Sequence, residues 1–380
     1  MSAPLGWSEE HLALRERGRD FARAQLDHDV VAADRERRFP REAWRRAAEF
    51  GLLSAPIPAQ YGGQGLDRLS FSALLEGVGE GCRDGGLLFA LGAHTWGCAW
   101  AVAHHGSDAL RDRWLPGLLD GSVIGAHGAT EPDSGSDVWG LRTTVTVEGD
   151  EAVLRGSKTF VTNGPVADVV LVYARTPGTQ GLHGVSSWLV PADAPGVTLG
   201  PAMETMGLRT SPVGELFLDE ARVPVGNQLA PGATFHFQDS LEHERAFLFA
   251  PVLGAMTRQL GECVAHARRT RRGGRRLTEY GGIARRLVDM KTRIEAGRAL
   301  QNRAALALDR GRAPEEANLA KVFLSEAWID SCRDAMAVFG GSAFLVEQTR
   351  ERELRDALAG PQYSGSSDVL RGVIAGVLDL

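Results

Sequence analysis

The chain has little cysteine, and what it has is scattered. Cys82, Cys98, Cys263 and Cys332 are the only four in 380 residues and form no C-x-x-C, so a disulfide framework or zinc site is not expected. The ten histidines include no H-E-x-x-H, and His104-His105 are adjacent rather than at metal-ligand spacing. No metal is expected. Gly149 and Gly156-Ser157-Lys158-Thr159 mimic a phosphate loop, but six residues separate the glycines where about four are needed. Gly178, Gly181 and Gly184 lack the following helix pattern of a dinucleotide fingerprint. There is no G-x-S-x-G, so the nucleophile elbow of a serine hydrolase is missing. No apolar run reaches the roughly 18 residues that span a bilayer, and Met1–Asp20 is too charged for a signal peptide. A net charge of −6 argues against general nucleic-acid affinity. The expected setting is a reducing cytoplasm, with neither membrane nor nucleic acid as partner.

What is present is an ordinary globular composition, 43% hydrophobic and 24% charged, on a chain longer than one compact domain usually needs. Its character changes twice. Up to about residue 120 the punctuation is helical. Phe39-Pro40-Arg41-Glu42-Ala43-Trp44 opens a helix with proline in its first turn, and Phe50-Gly51 ends it. Leu87–His105 is a small-residue and apolar stretch of helical length. From about 123 to 228 the period moves toward two. Thr143–Val147, Ala152–Arg155, Val169–Ala174, Val185–Val190 and Gly214–Leu218 read as strands, parted by turns at Gly149-Asp150, Gly156-Ser157 and Pro195-Gly196. After Gly232 the helical period returns. Asp239 or Ser240 can cap a helix carrying Leu241-Glu242-His243-Glu244-Arg245-Ala246. The expectation is an α+β chain: residues 1–122 an N-terminal helical domain, 123–228 a middle β domain, 229–380 a C-terminal helical domain.

Three segments carry chemistry. The first is the turn Thr130-Glu131-Pro132-Asp133-Ser134-Gly135-Ser136-Asp137, preceded by His127 and Ala129 and rich in backbone and hydroxyl donors. The second is Lys158–Gly164, which puts Phe160 and Thr162 on one face of a strand. The third is Gln362-Tyr363-Ser364-Gly365-Ser366-Ser367-Asp368-Val369-Leu370-Arg371. The first two resemble the flavin-gripping middle domain of the acyl-CoA dehydrogenases. The third resembles that family's C-terminal loop, usually Y-E-G-T-S-x-I-Q-R, with Ser364 where the usual catalytic glutamate would sit. The resemblance covers nearly the whole chain. It implies an N-terminal helical bundle, a middle β domain and a C-terminal four-helix bundle.

That resemblance also implies FAD as cofactor. Phe160 would back the flavin ring, Thr162 would bond near its N5, and His127, Ala129, Thr130, Gly135 and Ser136 would line its polar edge. With the loop glutamate absent, Glu244 becomes the candidate base, because Glu244-Arg245 matches the helix position used by isovaleryl-CoA-type and prolyl-carrier-protein dehydrogenases. Glu242 lies about 200° away around the helix and cannot share the task. Arg245, Tyr363, Ser364, Gly365 and Ser136 would surround the substrate. The far end of the cofactor is less regular: Thr270 and Gly273 stand at the family's arginine and phenylalanine, and Ala337 at its glutamine. Arg271, Arg272, Gly340, Gly341, Ser366 and Asp368 remain as candidates there, some of them serving a neighbouring subunit.

The implied reaction is α,β-dehydrogenation of an acyl thioester on CoA or a carrier protein, in secondary metabolism. Its electron acceptor would be electron-transfer flavoprotein or oxygen, and the enzyme a homo-oligomer, dimer or tetramer. Two other readings stay open at this point: a flavin monooxygenase on the same fold, which needs no α-carbon base, and a non-catalytic relative.

Overall fold

The structure, a computed structural model, describes residues 6–26, 28–179 and 184–379. Gly181 of the discarded dinucleotide pattern and the first five residues of the charged N-terminal stretch lie outside them. The chain begins with helices α1 (Glu9–Gln25), α2 (Val30–Glu36), α3 (Arg41–Glu49), α4 (Arg68–Gly81), α5 (Gly85–His94), α6 (Trp100–His105) and α7 (Asp108–Asp120). Pro40 caps α3 rather than lying within its first turn, and Phe50-Gly51 ends it as expected. A single π turn, Thr95–Ala99, joins α5 to α6, so Gly85–His105 runs as one helical rod. By length and composition that rod could cross a membrane, which corrects the expectation from apolar runs, but 78% of its most apolar window is buried inside the protein. It is a core helix here.

The middle of the chain forms one sheet from β1 (Gly125–Gly128), β2 (Thr144–Glu148), β3 (Glu151–Thr162), β4 (Val169–Arg175), β5 (Val185–Pro191), β6 (Val197–Leu199) and β7 (Val213–Pro224). The order is β1-β4-β2-β3-β7-β6, with β5 also on β4. All of Val169–Ala174 is buried, which is why that run reads as continuously apolar rather than alternating. The turn expected at Gly156-Ser157 is not a turn. β3 continues through it, and its register against β7 shifts between Leu154 and Gly156. Gly156 is at φ 146°, and a Cβ there would come within 2.6 Å of Thr143 Oγ1. Glycine marks a bulge and a close approach at this point.

The C-terminal part holds α8 (Ala233–Phe247), α9 (Ala250–Arg269), a small hairpin of β8 (Arg271–Arg272) and β9 (Arg275–Arg276), then α10 (Gly281–Leu308), α11 (Pro314–Phe339), α12 (Arg350–Ala359) and α13 (Ser367–Val377). α8 starts six residues before the expected cap, after Gly232 at φ 105°. Asp239 is therefore inside the helix, where its carboxylate accepts from Trp100 Nε1 at 2.9 Å and pairs with His105 at 3.1 Å. Helices of the two ends pack without a gap. A Cβ on Gly79 of α4 would fall 1.8 Å from the Pro251 carbonyl of α9. Glu76 of α4, 1% exposed, is held by Arg298 of α10 at 2.8 Å and Arg15 of α1 at 3.0 Å. Sheet, α8, α11 and the loop before α13 converge on one large cavity.

Candidate active site

The cavity has a volume of about 1070 Å³. Thirteen of the expected residues line it: His127, Ala129, Thr130, Gly135, Ser136, Phe160, Thr162, Glu244, Arg245, Tyr363, Ser364, Gly365 and Ser366. The sheet supplies its floor. Glu131 and Ser134 exchange backbone hydrogen bonds at 3.0 and 3.1 Å, and Thr159 N–H donates to Thr130 O at 2.9 Å, so the turn is sewn onto β3. Beneath it Lys158, 0% exposed, pairs with Glu131 at 2.7 Å. Glu131 also accepts from Arg142 N–H, Thr143 N–H and the Thr143 hydroxyl. Burial alone would push the Glu131 carboxyl up, but the Lys158 ammonium and these donors hold it below its usual value.

Phe160 sits at φ 53° with 67% of its surface exposed. A bulky residue in the left-handed region is strained, and here the strain aims an aromatic face into the cavity. The cause is a second register shift of β3, between Lys158 and Val161. Four buried polar atoms on residues lining the space, His127 Nε2, Ser211 Oγ, Asn318 Nδ2 and Ser364 Oγ, have no partner among the described residues. Burial brings the His127 ring down to about 4, so it is neutral and one ring nitrogen can donate. An exposed aromatic plane beside unsatisfied polar groups fits the flat, polar-edged ring of a flavin.

Glu244 enters from α8. Burial raises its carboxyl above the usual range, opposed by the Ser364 hydroxyl and the charges of Arg245 and Lys321. Ser364 stands close enough to favour the carboxylate, yet its hydroxyl makes no hydrogen bond of good geometry. Glu242 also borders the cavity, but both its oxygens accept from Arg312 Nε at 2.9 Å and one takes Ala313 N–H at 3.2 Å. Only Glu244 of the two has a carboxylate free to accept a proton. The loop itself is unusual: Ser364 and Gly365 are consecutive left-handed residues, at φ 58° and 85°. Arg245 Nε donates to Ser364 O at 3.0 Å, and Lys321 Nζ donates to Gly365 O at 2.8 Å. Tyr363 stacks on Phe249, with ring centroids 5.4 Å apart, and meets Phe89 at a 46° tilt with centroids 4.5 Å apart.

Five expected residues stand away from the cavity of this chain. Arg271 and Arg272 are exposed on the β8–β9 hairpin, each donating to a nearby carbonyl. Gly340 and Gly341 form the exposed turn after α11, and Asp368 has a side chain 98% exposed beside Arg371. Sequence reasoning missed Phe89, Phe237, Arg312, Asn318 and Lys321. A signal existed for two of these: Asn318 and Lys321 are polar residues three apart in the otherwise apolar run Ala317–Leu324, a face that α11 buries.

Comparison with known proteins agrees with this geometry. The family models of the acyl-CoA dehydrogenase N-terminal, middle and C-terminal domains match residues 8–122, 126–221 and 236–378. An L-prolyl-[peptidyl-carrier protein] dehydrogenase of Pseudomonas fluorescens is 36% identical over 94% of this chain and 96% of its own. The crystal structure of the prolyl acyl carrier protein oxidase AnaB superposes with a TM-score of 0.96 at 37% identity, covering 99% of this chain and 100% of that one. The FAD complex of PigA does so at 0.95 and 30% identity, covering 100% of both chains. With three family models in order along the whole length, the chain belongs to the acyl-CoA dehydrogenase family and is a FAD-dependent oxidoreductase acting on CH–CH bonds.

Proposed function

We propose that this enzyme dehydrogenates a small acyl or aminoacyl group held as a thioester on a carrier protein, with Glu244 as the base that removes the α proton. The observation that carries the reading is the pairing of a raised, cavity-facing Glu244 with an empty-handed Ser364 on the opposite loop. A carboxylate whose proton affinity is raised by burial is a better base for a thioester α C–H than an ordinary one. The Ser364 N–H donates to no group among the described residues. It is available to the thioester carbonyl, where a fixed donor stabilises enolate-like charge in a dry site. Phe89 and Tyr363, packed 4.5 Å apart beside that loop, suit a small acyl group. His127, Thr130, Ser136, Phe160 and Thr162 would hold the flavin, which when bound would supply the acceptor for the β hydride.

The carrier-protein assignment follows the two relatives named for prolyl carriers, and CoA shares the same phosphopantetheine arm. Electron-transfer flavoprotein or oxygen takes the electrons onward. Arg271, Arg272, Gly340 and Gly341, distant from this chain's own cavity, suit a homo-oligomer in which they serve a neighbour's cofactor. The test is anaerobic: prolyl thioester on a carrier protein, then on CoA, is added to the yellow enzyme and flavin absorbance is followed. Bleaching by the carrier-bound form supports the reading. Absence of bleaching by either thioester would rule out prolyl as the acyl group.

Ser364→Ala separates backbone from side chain. The carbonyl needs only the N–H at 364, so thioester-dependent flavin reduction keeps most of its rate in stopped-flow measurements. A loss as deep as that of a Glu244 variant would move the proton-accepting role to the loop.

A further inference from the structure

The Ser364–Gly365 pair occupies two successive left-handed conformations, which are disfavoured at a non-glycine residue such as Ser364. Something must hold it there. The holding groups are cations, and they grip carbonyls rather than carboxylates. Arg245 takes Ser364 O at 3.0 Å and, through its Nη1, Asn318 Oδ1 at 3.1 Å. Lys321, 0% exposed and one turn along α11 from Asn318, takes Gly365 O at 2.8 Å. Lys321 has no salt-bridge partner among the described residues. A buried ammonium without one is costly, so its retention against a loop carbonyl beside Glu244 calls for a reason other than stability.

We infer that Lys321 is a positioning residue of the dehydrogenation: its ammonium pins the peptide after Gly365, fixing the Ser364 N–H toward the thioester carbonyl. Its charge also favours the ionised form of Glu244. The inference rests on Glu244 being the base. The two peptide planes that follow the carbonyl-binding N–H are each tied to a different helix, α8 through Arg245 and α11 through Lys321. That N–H consequently keeps its direction when substrate is absent. The charged groups facing Lys321 are Arg245 and Glu244 from α8, Glu326 on its own helix, and Arg371 from α13. Glu244 itself faces Arg245, Lys321 and the hydroxyls of Ser364, Tyr363 and Tyr173. Burial lowers Lys321 to about 8, so it carries its charge through neutral pH.

Two variants separate the clamp from the charge. Lys321→Met removes both, whereas Lys321→Gln keeps a donor for Gly365 O and removes only the charge. In the yellow holoenzyme, hydrogen exchange of the 362–366 segment, read by mass spectrometry, is about tenfold faster in Lys321→Met and near normal in Lys321→Gln. In both variants the acid limb of kcat moves to higher pH, by about one unit, because Glu244 loses a neighbouring positive charge. Lys321→Met also lowers kcat by about 10²-fold with KM changed far less, as expected when a transition-state donor is misaimed. Exchange of the segment and the acid limb both unchanged in Lys321→Met would overturn the proposal, whatever its rate. Should Lys321→Met fail to fold, an unmoved limb in Lys321→Gln does so instead. Failure of the Glu244 assignment shows separately, as full activity in Glu244→Gln.

Discussion

Glu244→Gln slows thioester-dependent flavin reduction by roughly 10²–10⁴-fold, the range for a positioned general base, while flavin stays bound. The amide keeps the size of the carboxylate and cannot accept the α proton. Retention of flavin is expected because Glu244 comes from α8, whereas Thr130 and Phe160 come from the turn and strand of the sheet. The pH profile offers an independent reading. Burial raises the Glu244 carboxyl, so it holds its proton to higher pH than usual, and the wild-type rate climbs as pH rises through that pKa. The climb vanishes in the variant. Glu242→Gln loosens Arg312 instead of removing a free base, and its reduction rate stays close to wild type. A double change, Glu244→Gly with Ser364→Glu, returns the carboxylate to the loop and recovers part of the lost rate if both positions face one α carbon. The recovery is small, since about 1 Å of misplacement can cost two orders of magnitude. Full activity in Glu244→Gln would place the base elsewhere.

Much of this site was legible in the sequence because its parts are local. The turn 130–137, the strand residues Phe160 and Thr162, and the loop 362–366 each lie within a few residues of one another. Their order along the chain matched one architecture, and all of them line one cavity. What could not be read was long-range. Gly156 looks like a turn residue beside Ser157, but the reason for glycine is Thr143 pressing from the neighbouring strand. Asp239 looks like a helix cap, but its Oδ2 is taken by Trp100 and His105, 139 and 134 residues upstream. β1 and β6 are short and have too few residues to show a period. Lys321 was hidden for a different reason: a lysine inside a helix is usually solvated, and only the packed loop shows that this one is buried.

Lys158→Met destabilises the sheet by about 3–5 kcal/mol, the cost of leaving one half of a buried ion pair behind. Lys158 is 0% exposed and Glu131 5%, with 2.7 Å between the ammonium and the carboxylate. Without the ammonium, Glu131 keeps its donors from Arg142 and Thr143, yet its charge has no counterion in an apolar setting. The effect reaches the site, because Glu131 is the second residue of the turn that presents Gly135 and Ser136 to the cavity, and Lys158 is two residues from Phe160. Weaker flavin retention therefore accompanies the lower stability. Denaturant titration followed by Trp188, buried in the core of the same sheet, reports the first; flavin released on gel filtration reports the second. Adding Glu131→Gln to Lys158→Met removes the orphaned charge and recovers a substantial part of the loss, because the amide can still accept from the Thr143 hydroxyl. The double variant thus comes out more stable than Lys158→Met alone, the sign expected of a pair whose members are costly singly and compensated together. Equal stability in the single and double variants would mean that Glu131 takes up a proton when Lys158 is lost, and that the turn is held by its hydrogen bonds rather than by charge.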